Sequence, residues 1–240
     1  QRLCDVHSAL FHGSTTEEKI ANAEKIVAHS PDAQKLHAED IKNQRLSAAA
    51  ALIQISGHPI QTFTLENAAL EKLIARAKQA LENGTMNDGL LNELRQIAIH
   101  YAKKGDLLYP HLKVQYGISG PSAVMWTVDD EIRDELNALA KQRDQKETDA
   151  WKHRLNAVLT RMEEMIYKES NILFPNCALN FSEEEWYHIY RDAKDYAECF
   201  GIRGDSWEAA EAHLADTAST VGTMSAEHAF AAGETRIHLP

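Results

Sequence analysis

Cysteine, proline and glycine are scarce in this chain: three, six and eleven residues in 240. Cys4, Cys177 and Cys199 are odd in number and show no C-x-x-C spacing, which excludes a paired disulfide framework and suits reduced thiols in a cytosol. No apolar run approaches the ~20 residues that a membrane helix needs, and no signal-peptide pattern opens the chain. Positive charge is in short supply as well. Lys and Arg number 25 against 36 Asp and Glu, for a net charge of -11, and no basic cluster is longer than two. That balance sets aside nucleic acid and anionic membrane surfaces as partners. Catalytic signatures are missing too: there is no Gly-rich phosphate loop, G-x-S-x-G elbow, His-Cys nucleophile pair or H-E-x-x-H, nor the two E-x-x-H motifs of a ferritin-like oxidase. The expectation is a cytoplasmic protein that is not an enzyme. Its first residue is Gln inside what reads as a helix, so a piece of a longer protein is expected.

What is present is helix. Apolar residues recur at three- and four-residue spacing between the few Gly and Pro clusters, and strand signals are absent, so the fold class is all-α. A first region, 1–56, carries N-terminal helical patterns that include the Ala-rich "LSAAAALIQI" and closes at Gly57-His58-Pro59. Four longer helices are expected over roughly 60–82, 88–113, 121–142 and 147–172, and short connections between them predict an up-down bundle spanning 57–200. Ser182 before "EEEWYHIYRDAKDY" predicts a capped helix over about 183–199. Residues 201–240 read as a marginal helix plus a linker.

Each bundle helix has polar residues on its apolar stripe. Phe63, Leu70 and Ile74 leave Asn67 as the polar rung of the first. Leu90, Leu94, Ile97 and Tyr101 run beside His100 and Lys104 on the second. Asp129 interrupts Met125, Ile132, Leu136 and Leu139 on the third, and Glu169 follows Leu155, Val158, Leu159, Met162, Met165 and Ile166 on the fourth. A buried carboxylate must be paired, protonated or bound to a metal.

Two segments share an outline, "HYAKKGDLLYP" from His100 and "MIYKESNILFP" from Met165. Aligned, they match His100 with Met165, Lys104 with Glu169 and Tyr109-Pro110 with Phe174-Pro175. Asn67 in "LENAALEKLI" likewise matches Asp129 in "VDDEIRDEL". The four helices thus form a pseudo-two-fold pair whose polar groups meet at one level of the interior, where bundles build metal and cofactor sites.

These motifs resemble the hemerythrin-like (HHE cation-binding) bundles. "GHPIQTFTLENAALEKL", "LLYPHLKVQYGISGPSAVMWTVDDEIR" and "MIYKESNILFP…EEEW" are similar to a bacterial subgroup in which the bundle follows a domain of unknown function and precedes a PAS sensory domain. The resemblance covers roughly residues 1–200. It implies iron and a response to dioxygen, nitric oxide or redox state. Residue by residue, His100 stands where a family His stands and Glu169 where a bridging Glu stands. Asn67, Asp129 and Met165 replace ligand histidines, and Lys104 replaces the second bridging Glu.

Three readings stay open. In one, His100 and Met165 are axial ligands of a haem lined by Phe63, Tyr101, Met125, Trp126, Met162 and Ile166. In another, His100, Asp129 and Glu169 hold a single non-haem iron or similar ion, with Met165 and His58 as further donors near the site. In the third, no cofactor is bound and Asn67, His100, Lys104, Asp129 and Glu169 form a buried polar network in a signal-transmitting bundle. Lys104 either neutralises the carboxylates or snorkels to solvent. The partners expected are a small diatomic gas or haem and a downstream PAS domain, with a homodimer possible.

Overall fold

The computed structural model describes residues 31–117 and 120–217. The chain divides into two compact units, 1–47 and 48–240. In the first, residues 31–47 belong to α1, which runs Pro31–Ile53. The expected helices before residue 31 and the linker after 217 lie outside the described residues.

In the second unit every described element is helical apart from turns and one isolated bridge, Cys199 with Ile202. Helix α2 (Pro59–Glu82) starts on His58, whose ring nitrogen Nδ1 accepts the Ile60 N–H at 3.1 Å, with Pro59 at the first helical position. Helices α3 (Asp88–Arg95), α4 (Ile97–Leu107) and α5 (Tyr109–Val114) follow end to end. The sequence pattern predicts one helix here. The backbone breaks at Gln96, whose carbonyl receives the Cys199 Sγ–H at 3.3 Å, and again before Pro110, which has no N–H to offer the preceding turn.

Helix α6 (Gly120–Lys141) and α7 (Asp149–Lys168) complete the bundle, α7 opening on a Thr148 cap. The fourth helix is expected to stop near residue 172, but the chain continues. A π-helical turn, Glu169–Leu173, carries it into α8 (Phe174–Asn180). The wider turn, closed by Phe174 N–H to Glu169 O, lets the backbone pass Pro175 without the carbonyl clash of an α register. It also shifts the buried face by one residue: Leu173 and Phe174 are buried while Ile172 is exposed. A capping box, Ser182 with Glu185, starts α9 (Glu183–Ala193), which ends earlier than the pattern predicts.

Helices α2, α3 with α4, α6, and α7 pack in a closed ring, each against two neighbours. One continuous core fills it, from Phe63, Leu70 and Ile74 on α2 to Leu155, Leu159 and Met162 on α7. Residues 208–217 form the helix expected after residue 200, and the region adds to the core: Trp207 just ahead of that helix and Ala210 within it are buried.

Candidate functional site

Six charged side chains are buried at the bundle centre: Glu66 on α2, His100, Lys103 and Lys104 on α4, Asp129 on α6 and Glu169 at the entry to the π turn. Lys104 is fully buried and does not snorkel. Its ammonium donates to Asp129 Oδ1 at 2.9 Å and to Glu169 Oε1. It also lies 4.1 Å from the centroid of the Tyr101 ring. Asp129 receives a second bond, from the Tyr109 hydroxyl at 3.0 Å.

His100 spans two carboxylates. Nδ1 is 2.7 Å from Glu66 Oε2 and Nε2 is 3.0 Å from Glu169 Oε2. Each of those oxygens is an acceptor, so both ring nitrogens donate and the ring is an imidazolium. Burial by itself disfavours that charge, but Glu169 and then Glu66 outweigh it and hold the His100 pKa above the ordinary value. The amide of Asn67 donates to Glu169 Oε2 at 2.8 Å, and Lys103 donates to Glu66 Oε1.

Every oxygen of the three carboxylates therefore has a protein donor, and three cations face three anions. The two outcomes for the carboxyls differ. Burial raises Glu169, yet Lys104 and His100 more than reverse this and hold it at about 2. For Asp129 burial prevails over Lys104 and the pKa rises to about 6. Two of the buried atoms without partners lie at this centre, Asn67 Oδ1 and the Tyr101 hydroxyl.

The expected site residues are only partly brought together. His100, Asp129, Glu169, Asn67 and Lys104 do meet in one network. Phe63, Tyr101, Met125, Met162, Met165 and Ile166 are buried in the surrounding core. Trp126, expected to line the interior, is 47% exposed and lies against the Tyr109 ring at 5.8 Å. Nor does His58 join the centre. It is buried between the Trp186 and Trp207 rings, with centroids at 4.8 and 4.6 Å, and burial lowers its pKa to about 3. Its Nδ1 lone pair is spent capping α2, so the proton is on Nε2 and no metal-binding lone pair is left.

Glu66, Lys103 and the Tyr109 hydroxyl are the members that stripe reading passes over. Spacing contains the signal: Glu66 lies three residues after Phe63 and Lys103 three after His100, each one turn along the buried face.

The arrangement defines an all-α four-helix bundle with a charged centre. The family model of the hemerythrin HHE cation-binding domain matches residues 58–177 of this chain, and the chain belongs to that family. The family is one of helical domains that bind metal, non-haem iron in particular. A search of curated proteins finds no match. No described helix is long and apolar enough to cross a membrane.

The donor set of this chain does not fit the family's metal. Among the described residues, no group of three or more His, Cys, Asp or Glu is arranged to hold a metal ion. The geometry gives the reason: an ammonium stands between Asp129 and Glu169, and an imidazolium with both nitrogens protonated has no lone pair to give. Both ring nitrogens of His100 are directed at carboxylates in this arrangement, which gives no support to the expected axial pair of His100 and Met165.

Proposed function

We propose that this domain is a regulatory hemerythrin-fold bundle whose cation site is filled from within by Lys104, and which transmits a signal through the packing and charge state of its core. In this reading it works without catalysis, as a module between flanking domains in the cytoplasm. The observation that carries this reading is the Lys104 ammonium held between Asp129 and Glu169 at full burial. A buried ion pair of this kind gives modest net stability but fixes one arrangement of the helices that supply it. Direct response to dioxygen or nitric oxide needs an open coordination position, which a centre saturated with protein donors does not offer.

One observation favours a second reading, a single non-haem ion at His100, Asp129 and Glu169: the two carboxylates already converge on one point. The two readings part at Lys104. Protein expressed with iron and haem supplied, then gel-filtered, should carry far less than one metal per chain by elemental analysis and show no Soret band. Lys104→Glu, which restores a carboxylate to this position, should raise divalent-metal uptake toward one ion per chain. Stoichiometric metal or haem in the unaltered protein would overturn the proposal.

A further inference from the structure

A cavity of about 520 Å³ opens beside the charged centre, between the first turns of α2, the middle of α4 and the segment from Tyr190 to Ser206. Its walls combine apolar and aromatic residues, Phe63, Tyr190, Tyr196 and Ile202 among them, with polar and charged ones that include Lys103 and Glu66. It is preformed. Gly57 adopts a φ of +77°, and a Cβ there would lie 2.6 Å from the backbone of residues 205–207, so only glycine lets that segment seat against the start of α2.

The lining carries charges of both signs, but its buried, unused donors are concentrated at Lys103. The Lys103 side chain is 7% exposed, and Glu66 Oε1 is its sole hydrogen-bond acceptor among the described residues. An ammonium has three N–H donors, so two of them, almost desolvated, are left for whatever enters the cavity. Glu66 has nothing comparable to offer, because its other oxygen is bonded to His100. At the rim, Glu198 is paired with Arg203, and Asp205 accepts from the Ser56 hydroxyl at 3.0 Å. These rim charges are solvent-exposed and partly paired, whereas at the buried end of the cavity an anion would find free, charge-assisted donors at Lys103.

We propose that this cavity is a binding site for a small organic carboxylate with an apolar or aromatic body. The carboxylate bonds Lys103 and the body lies against Phe63, Tyr190 and Tyr196. A volume of this size holds a single-ring acid with room for substituents, since a cavity near 150 Å³ already holds benzene. Binding at Lys103 would share its ammonium with Glu66, the residue that holds His100, and so reach the buried centre. The binding claim itself does not depend on whether that centre takes a metal.

The test is a fluorine NMR titration of the full chain with 4-fluorobenzoate, beside 4-fluorobenzylamine and 4-fluorobenzyl alcohol as cationic and neutral probes of the same shape. Saturable binding of the benzoate in the millimolar range or tighter is expected, with the amine and the alcohol clearly weaker. Lys103→Met should weaken the benzoate by roughly tenfold or more, the loss of one charge-assisted bond. Ala197→Trp, an exposed position on the cavity lining, should abolish binding while leaving the fold intact, and it decides the matter if Lys103→Met does not fold. No saturable benzoate binding, equal binding of the amine, or binding unchanged in Ala197→Trp would each overturn the proposal.

Discussion

The two halves of the bundle, α2 with α4 and α6 with α7, put equivalent positions at the centre and fill them with opposite chemistry. Lys104 and Glu169 occupy the same place in the two proline-ended segments, and they are bonded to each other. Asn67 and Asp129 occupy the same place on the companion helices, and each bonds across to the other half, Asn67 to Glu169 and Asp129 to Lys104. Identical carboxylates at such positions would need a cation from outside. A lysine facing a glutamate supplies one from within. His100 against Met165 divides the chemistry in the same way: the single imidazole is shared between Glu66 and Glu169, and the thioether stays in the apolar core. What the difference teaches is that a duplicated frame can keep its geometry while its charges diverge, until the centre neutralises itself.

The largest effect should come from removing the cation that joins the halves. Lys104→Met leaves Asp129 and Glu169 buried without their shared partner, at a cost of about 3–5 kcal/mol. Urea unfolding at neutral pH should show that loss. Adding Asp129→Asn and Glu169→Gln should recover a good part of it, since the neutral set needs no counter-ion. A loss under about 1 kcal/mol for Lys104→Met would mean that the halves are not held through this residue.

A smaller effect separates the two carboxylates by pH. Asp129 is raised from 3.8 to about 6, so its contribution to stability is full below pH 3.8 and is lost as pH rises through about 6. Glu169 is lowered from 4.5 to about 2, so its contribution is full above pH 4.5 and is lost as pH falls through about 2. Each shift is worth about 3 kcal/mol at its limit. Unfolding free energies measured across this range should therefore lose the fall between pH 3.8 and about 6 in Asp129→Asn, and the acid loss between pH 4.5 and about 2 in Glu169→Gln. Slopes of the same sign in both variants would contradict the division of charge between the halves.

Much of this was legible in the residues themselves. Periodicity identifies the four bundle helices because apolar stripes dominate them, and polar rungs such as Asn67, Asp129 and Glu169 stand out against Leu and Ile on both sides. The alignment of the two proline-ended segments locates Lys104 opposite Glu169, though not whether its flexible stem turns inward. Periodicity cannot see a change of register: the π turn at Glu169–Leu173 and the break at Gln96 depend on Pro175 and on the distant Cys199. Glu66 is hidden for a different reason. A glutamate beside Asn67 on an otherwise ordinary helix reads as surface until its partner His100, 34 residues away, is brought to it. The role of Trp207 was equally invisible, since one tryptophan in a small, polar stretch carries no period.

The finest difference between the halves is a single hydroxyl. Tyr109 donates to Asp129 Oδ2, whereas its counterpart Phe174 has nothing to donate and lies 5.7 Å from the Phe63 ring. Tyr109→Phe makes the two halves alike at this level and takes one donor from a buried carboxylate, for an expected loss of about 1–2 kcal/mol at neutral pH. Because the hydroxyl is among the groups that lower the Asp129 pKa, its removal should push that pKa higher and carry the fall in stability to higher pH than in the unaltered protein. The ring stays and keeps its packing against Trp126, so a change in the pH profile reports on the hydrogen bond and not on a cavity. If stability drops while the profile stays in place, the hydroxyl contributes packing alone, and Lys104 is the first half's one polar hold on Asp129.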